Sequence, residues 1–239
     1  MSKGLVTAIG AISGTSMDAI DIALVETDGD GIVRPLGGAA YPYPRELRTK
    51  LQALIADPVR AEHDPLEALE ADVTDAFSEA IHRFLRESGR AASTIDLVGL
   101  HGQTVFHRPE RRVTRQLGDG ARMAATLGID VVNRFRHADV AAGGQGAPLV
   151  PLYHAALART LATPLMVLNL GGVANITYLD GETIIACDTG PASALIDDAM
   201  LRHFGKAYDV EGRVAASGRV DEAVLAEAIA AAKSVLPGG

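Results

Sequence analysis

Ser13, Gly14, Thr15, Ser16, Met17 and Asp18 place small and hydroxyl-bearing residues in one tight turn near the start of the chain. Such a turn exposes backbone N–H groups and adds hydroxyl donors, which is the equipment a polyphosphate needs. Asp18 and Asp21 would repel phosphate directly, but they can hold Mg²⁺ through water or orient the turn. The G-x-x-x-x-G-K-[ST] pattern is absent, and the turn joins two strand-like runs rather than a strand and a helix, so this is not a P-loop. A polar hairpin turn is the competing reading.

Four further stretches carry chemistry. Gly171-Gly172 follows Asn169-Leu170, and two adjacent glycines permit either close backbone approach to a ligand or a plain tight hairpin. Asp188-Thr189-Gly190-Pro191 is expected just past a strand and before a helix. There Asp188 could act as a general base or cap the helix. His101-Gly102-Gln103-Thr104, with His107, is expected at the end of a buried strand, where polar side chains suit a hydroxyl-rich ligand or a simple turn. His101 and His107 lack a helical two-ligand spacing and a cysteine partner, so a zinc site is not expected. Residues 134–148 gather Arg136, Asp139, Gln145 and four glycines or prolines in one expected loop, and long polar loops inside compact domains are often functional. Arg136 could pair with a carboxylate and Gln145 could bond a hydroxyl or amide.

The elements that must position these residues follow from periodicity. Residues 7–13, 19–26 and 32–36 read as a three-stranded meander whose second turn is Thr-Asp-Gly-Asp-Gly. Helices are expected over 45–56 and 65–87, from leucines and other apolar residues three and four apart. A buried strand is expected over 96–100, a strand over 113–117, a helix over 120–127, a strand over 129–133 and a helix over 150–158. The opening order then returns: strand 165–170, Gly-Gly turn, strand 174–179, Asp-Gly turn, strand 183–187, helix 193–204. That recurrence predicts an internal duplication in an α/β protein. The boundary falls near residues 159–164, dividing 1–160 from 161–239, and a cleft between two such domains favours small molecules.

The chain has 239 residues, 48% of them hydrophobic, which suffices for one large core or two modest ones. With 30 acidic and 22 basic residues, a formal charge of −8 and no basic run, no nucleic-acid or anionic-membrane partner is expected. The single cysteine, Cys187, excludes an internal disulfide framework and suits a reducing cytoplasm. No signal peptide and no membrane-spanning stretch are expected.

Taken together, S-G-T-S-M-D-A-I-D (13–21), H-G-Q-T-V-F-H-R-P (101–109), D-V-A-A-G-G-Q-G-A-P-L-V-P (139–151), N-L-G-G-V-A-N-I-T (169–177), D-T-G-P (188–191) and A-A-S-G-R-V (215–220) resemble the anhydro-N-acetylmuramic acid kinase family. These stretches stand in that family's order over essentially the whole chain. The resemblance implies a duplicated ribonuclease-H-like, actin-like ATPase fold with mixed sheets. It implies an ATP- and Mg²⁺-dependent kinase that opens 1,6-anhydro-N-acetylmuramic acid with water and phosphorylates O6, within murein recycling, and a homodimer. By motif, Gly14, Thr15, Ser16, Met17, Asp18, Ala19, Ile20 and Asp21, with Gly171 and Gly172, would hold ATP. Asp188 would be the catalytic base, and Asp18 would meet the metal through water. His101, Gln103, Thr104, Arg136 and Gln145 would face the sugar, with Arg136 on its lactyl carboxylate.

The chain departs from the family's pattern at Ala19, where Gly is commoner, at Arg134, where an acidic residue usually precedes Phe-Arg, and at Ala192-Ser193 after the D-T-G-P stretch. The family also continues past residue 239, so the second domain is expected to be incomplete. Two other readings remain: another sugar kinase of the same superfamily, and a non-catalytic nucleotide- or sugar-binding relic.

Overall fold

The computed structural model describes residues 4–14 and 17–235, and the chain falls into two compact units, Met1–Arg159 and Thr160–Gly239. The first unit is built on a six-stranded mixed sheet: β1 (Val6–Ser13), β2 (Ala19–Thr27), β3 (Val33–Pro42), β4 (Leu97–Arg108), β5 (Val113–Leu117) and β6 (Asp130–Asn133). Its order is β3-β2-β1-β4-β5, with β6 also paired to β4. The β1–β2 and β2–β3 pairs are antiparallel, and β4 runs parallel to both β1 and β6.

Side-chain alternation fixes which face is buried. Ile9 and Ala11 on β1, and Ile20, Ile22 and Leu24 on β2, point into the core, while Ile12, Asp21 and Ala23 point out. The buried face is covered by α1 (Arg45–Ile55) and α3 (Glu67–Glu87). Leu47, Leu51 and Leu54 of α1 and Val73, Phe77, Ile81 and Phe84 of α3 supply the apolar stripe. Between them lies α2 (Pro58–His63), absent from the expected elements, with Pro58 in its first turn and the Asp57 carboxylate accepting from the Arg60 N–H at 3.2 Å. The helix α4 (Gly120–Leu127) starts at the Asp119 cap, whose Oδ1 accepts from Ala121 and Arg122, and ends at Gly128 in the left-handed region. The unit closes with α5 (His137–Ala141) and α6 (Val150–Ala158).

Three further elements of the first unit differ from expectation. β4 does not stop at residue 100 but continues to Arg108, because its second half pairs with β5 and buries Val105 and Phe106. The loop over 134–148 contains α5, since Ala138 and Ala141 favour a helical turn and Val140 is buried beneath it. β3 extends to Pro42, lengthened by its pairing along all of β2.

The second unit is an antiparallel meander of β7 (Leu165–Leu170), β8 (Val173–Asp180) and β9 (Thr183–Pro191). It is followed by α7 (Ser193–Phe204), α8 (Arg213–Ser217) and α9 (Glu222–Val235). β9 runs past the expected end at Cys187, so Asp188 lies inside the strand and the residue before α7 is Ala192. The Asp188 carboxylate is therefore not a helix cap. No helix among the described residues is long and apolar enough to cross a membrane.

Gly102 sits at φ +73°, and a Cβ there would lie 2.2 Å from the Leu117 carbonyl oxygen, which is backbone and cannot move aside. Gly102→Ala is expected to cost about 3 kcal/mol of unfolding free energy, read as a lowered urea midpoint with an unchanged slope.

Candidate functional site

The β1–β2 connection is a hairpin tip in which the Met17 N–H donates to the Gly14 carbonyl at 3.1 Å, with Met17 at φ +54°. Thr15 and Ser16 lie outside the described residues. The Met17 and Ile20 side chains are buried in the core, so only their backbone is free to meet a ligand. Ala19 opens β2 opposite Pro42, and Asp21 stands opposite Ile12 on the outward face. Burial raises the Asp21 carboxyl above its ordinary value. Asp18 is exposed and its Oδ1 accepts from Arg48 Nη2 at 2.5 Å.

These donors test the expected metal. No group of three His, Cys, Asp or Glu side chains among the described residues converges as a metal cage. The carboxylates of this stretch are Asp18, whose Oδ1 is taken by Arg48, and Asp21 on the outward face of β2. That donor set fits Mg²⁺ held mainly by phosphate oxygens and water, not a protein-ligated ion.

Behind the turn lies Gln103. Its side chain is fully buried, with Nε2 donating to the Gly14 carbonyl at 3.3 Å and the Thr104 carbonyl at 3.1 Å, while Oε1 accepts from the Tyr43 hydroxyl at 3.4 Å. Burial pushes the Tyr43 phenol well above its ordinary value, so it stays a neutral donor. Gln103, expected to face a sugar, instead ties the turn to the core. Thr104 is half-buried beside it.

On the other side of β4, His101 meets Arg136. The His101 Nδ1 faces the Gly102 carbonyl at 3.1 Å, so it carries the proton, and the bare Nε2 accepts from Arg136 Nε–H at 2.9 Å. This pairing requires a neutral imidazole. Burial lowers the His101 pKa first, and the Arg136 charge lowers it further against the Gly102 hydrogen bond. Burial also lowers that of Arg136, which keeps its terminal amino groups free of hydrogen bonds among the described residues. His107 lies nearby, with Nδ1 at 2.9 Å from Thr114 Oγ1 and the Gln145 backbone beside its ring. The structure thus brings His101, His107, Arg136 and Gln145 together and sends Gln103 elsewhere.

A polar cavity of about 310 Å³ opens two residues along, lined by Glu70, Arg115, Asp119, Asn133, Arg134 and His137. Arg134 is in the left-handed region at φ +61°. These residues come from four elements distant in sequence, and periodicity carries no trace of their meeting.

In the second unit, Asn169, Asn175 and Asp188 stand directly opposite one another across β7, β8 and β9. A register shift follows at Ala174, where the partner becomes Gly190, so the sheet bulges beside the carboxylate. Asp188 is exposed. The two asparagines were legible by counting outward from the Gly171-Gly172 and Asp180-Gly181 turns, since hairpin register follows from turn position. Neither Gly171 nor Gly172 has positive φ, and a Cβ at either would meet its neighbours only at 3.5 Å or beyond. The hairpin itself does not require these glycines. Their carbonyls accept from the N–H groups of Ala192 and Ser193 at the start of α7.

Comparison with known proteins adds lineage to this geometry. A family model described as anhydro-N-acetylmuramic acid kinase matches residues 6–233. A protein of that name from Rhodopseudomonas palustris (strain BisB18) is 50% identical over 232 residues, covering 93% of this chain and 63% of the relative. One from Rhizorhabdus wittichii is 51% identical over 226 residues, covering 91% and 61%, and one from Bradyrhizobium diazoefficiens is 48% identical over 234 residues, covering 94% and 64%. The chain thus spans less than two thirds of the length of these curated relatives. Among solved structures, a reductive activator for corrinoid,iron-sulfur protein aligns with 79% of this chain and 31% of its own at 16% identity, with a TM-score of 0.39, too low to define a common fold.

The three lowered histidines set a pH dependence. His101, His107 and His137 all have folded-state pKa values below the ordinary 6.5, in each case chiefly through burial. Their stabilisation is complete above that value and is lost as pH falls through the window beneath it. The urea midpoint is expected to fall between about pH 7.5 and about pH 5, and His101→Gln, which keeps an acceptor for Arg136 without titrating, should flatten part of that fall. An identical slope in the variant would contradict the neutral assignment.

Proposed function

Since the chain belongs to the anhydro-N-acetylmuramic acid kinase family, we propose that it provides the phosphate turn, the base and the sugar contacts of an ATP-dependent kinase. Its substrate is a 1,6-anhydro amino sugar bearing a carboxylate, 1,6-anhydro-N-acetylmuramic acid, and its setting is murein recycling in the cytoplasm. The observation that carries this reading is Arg136: half-buried, its Nε spent on a neutral histidine, its terminal amino groups unclaimed among the described residues. A guanidinium so placed suits a planar carboxylate, which a neutral sugar lacks.

In this reading Asp188 takes a proton from water as the water oxygen bonds to the anomeric carbon. The bond from that carbon to O6 breaks, and O6 keeps the electron pair. O6 then bonds to the γ-phosphorus as its bond to the bridging oxygen of ADP breaks. The products are N-acetylmuramic acid 6-phosphate and ADP. Asn175, opposite Asp188, is placed to steady the carboxylate or the water. The Gly14–Asp21 turn and the Gly171-Gly172 turn offer backbone N–H groups to phosphate oxygens, and phosphoryl transfer depends mostly on such positioning and charge neutralisation. Mg²⁺, when bound, supplies the larger part of that neutralisation, with Asp18 reaching it through water.

One finer point belongs to the same reading. Both units open with an antiparallel three-stranded meander, β1-β2-β3 and β7-β8-β9, each with a small-residue first turn. That recurrence supports duplicated ribonuclease-H-like domains of the actin-like kind.

The test is ADP release with the anhydro-muramic sugar, with anhydro-N-acetylglucosamine, which lacks the lactyl group, and with glucose. Turnover restricted to the muramic sugar is expected, and Asp188→Asn should lower it roughly a thousandfold while ATP-analogue affinity stays level. Turnover of glucose alone would favour a different sugar kinase.

A further inference from the structure

We propose that Asp139, which no motif role covers, is a positioning residue for the sugar-side site: it holds the Gly-Gly-Gln-Gly segment against Arg136. This rests on the reading that Arg136 and Gln145 face the sugar.

Asp139 lies in α5, in the first turn after Arg136. It grips the following segment at two points. Its backbone carbonyl accepts from the Gly144 N–H at 2.8 Å, and its side-chain Oδ2 accepts from the Gly146 N–H at 2.6 Å. The second is a charge-assisted bond, and its length agrees with that.

Two glycines of this stretch stand where a side chain would not fit. A Cβ on Gly144 would lie 2.2 to 2.5 Å from the Asp139 carboxylate atoms. Gly146 has φ +66°, and a Cβ there would lie 2.5 Å from Val140 Cγ2 and 3.2 Å from Arg136 Cβ. Gly146 is therefore seated on the base of the Arg136 side chain, and the Asp139 carboxylate keeps it there. Between the two glycines, the Gln145 backbone lies beside the His107 ring. The result is one folded unit: Asp139 fixes Gly144 and Gly146, Gly146 abuts Arg136, and His101 receives the Arg136 Nε–H from the opposite side. Arg136 is held at both its root and its head, and Asp139 sets the root.

The position of Asp139 argues against a ligand-binding role. Its Oδ2 is taken by the Gly146 N–H, and a second carboxylate at the sugar-side site would repel the anion that Arg136 is placed to receive.

The test uses the whole chain with Asp139→Asn, and with Gly144→Ala as a second variant that crowds the same carboxylate without removing its charge. Amide exchange of the peptide spanning 142–149 reads the segment directly. Calorimetry with the anhydro-muramic sugar and, separately, with an ATP analogue reads the consequence. In both variants exchange of that peptide is expected to rise, with sugar affinity falling about tenfold and ATP-analogue affinity changing less than about twofold. Unchanged exchange overturns the inference whatever the sugar does. Loosened exchange with unchanged sugar affinity also overturns it, as does an equal loss for both ligands, which marks general destabilisation. If the unsubstituted chain binds no anhydro-muramic sugar, the functional reading fails and the positioning role falls with it, while the exchange arm still reports separately whether Asp139 holds the segment.

Discussion

On an unbroken strand, residues two apart share a face. Along β4 that rule holds up to His101 and then breaks. A Cβ on Gly99 would touch the Phe135 ring, and His101, two residues on, meets Arg136, so both look to the same side. Gln103 should look there too. Instead it is fully buried and bonded to Tyr43 and Gly14. The cause is Gly102, whose left-handed backbone coincides with a one-residue slip in the β1–β4 register between Ala11 and Ile12. This bulge turns Gln103 toward the Gly14 carbonyl and leaves His101 beside Arg136. It also lets the second half of β4 swing to pair with β5. Both halves of the first unit's candidate site depend on one glycine that the Leu117 carbonyl leaves no room to replace.

What could be read from the sequence follows the range of the forces involved. The helices around Leu47, Leu51 and Leu54, and around Val73, Phe77 and Ile81, were plain because an apolar stripe is a local pattern. The start of α4 was legible for the same reason, since Asp119 caps only its own next turn. The continuation of β4 was not, because Val105 and Phe106 become buried only when β5 arrives beside them. The same holds at the site. Residue types in the H-G-Q-T stretch suggested a polar ligand face, yet whether a given side chain points to ligand or core was decided by a bulge set through strand pairing. Asp188 is expected from sequence at the end of a strand over 183–187, just before a helix. β9 continues regardless, since its partner β8 keeps pairing as far as Pro191. Counting residues from the hairpin turns, rather than reading composition, would have put Asn175 opposite it.

The charge arrangement separates Arg136 from its fellow arginines. Arg34, Arg60, Arg83 and Arg122 each pair with a carboxylate at the surface. Exposed pairs of this kind add little to stability and leave no net charge to offer a ligand. Arg136 is withdrawn from water, which disfavours its charged form, and the partner it has been given is an imidazole that must stay neutral. A neutral acceptor satisfies one N–H but cancels no charge. The chain as a whole is acidic, with a formal charge of −8, so long-range attraction would not draw an anion to it. On the proposed reading, selectivity for an anionic sugar is local and falls to Arg136, whose hydrogen-bond partner leaves its charge uncancelled. An aspartate as the partner would instead cancel the Arg136 charge. On the proposed reading, the neutral partner is what leaves the Arg136 charge for a ligand.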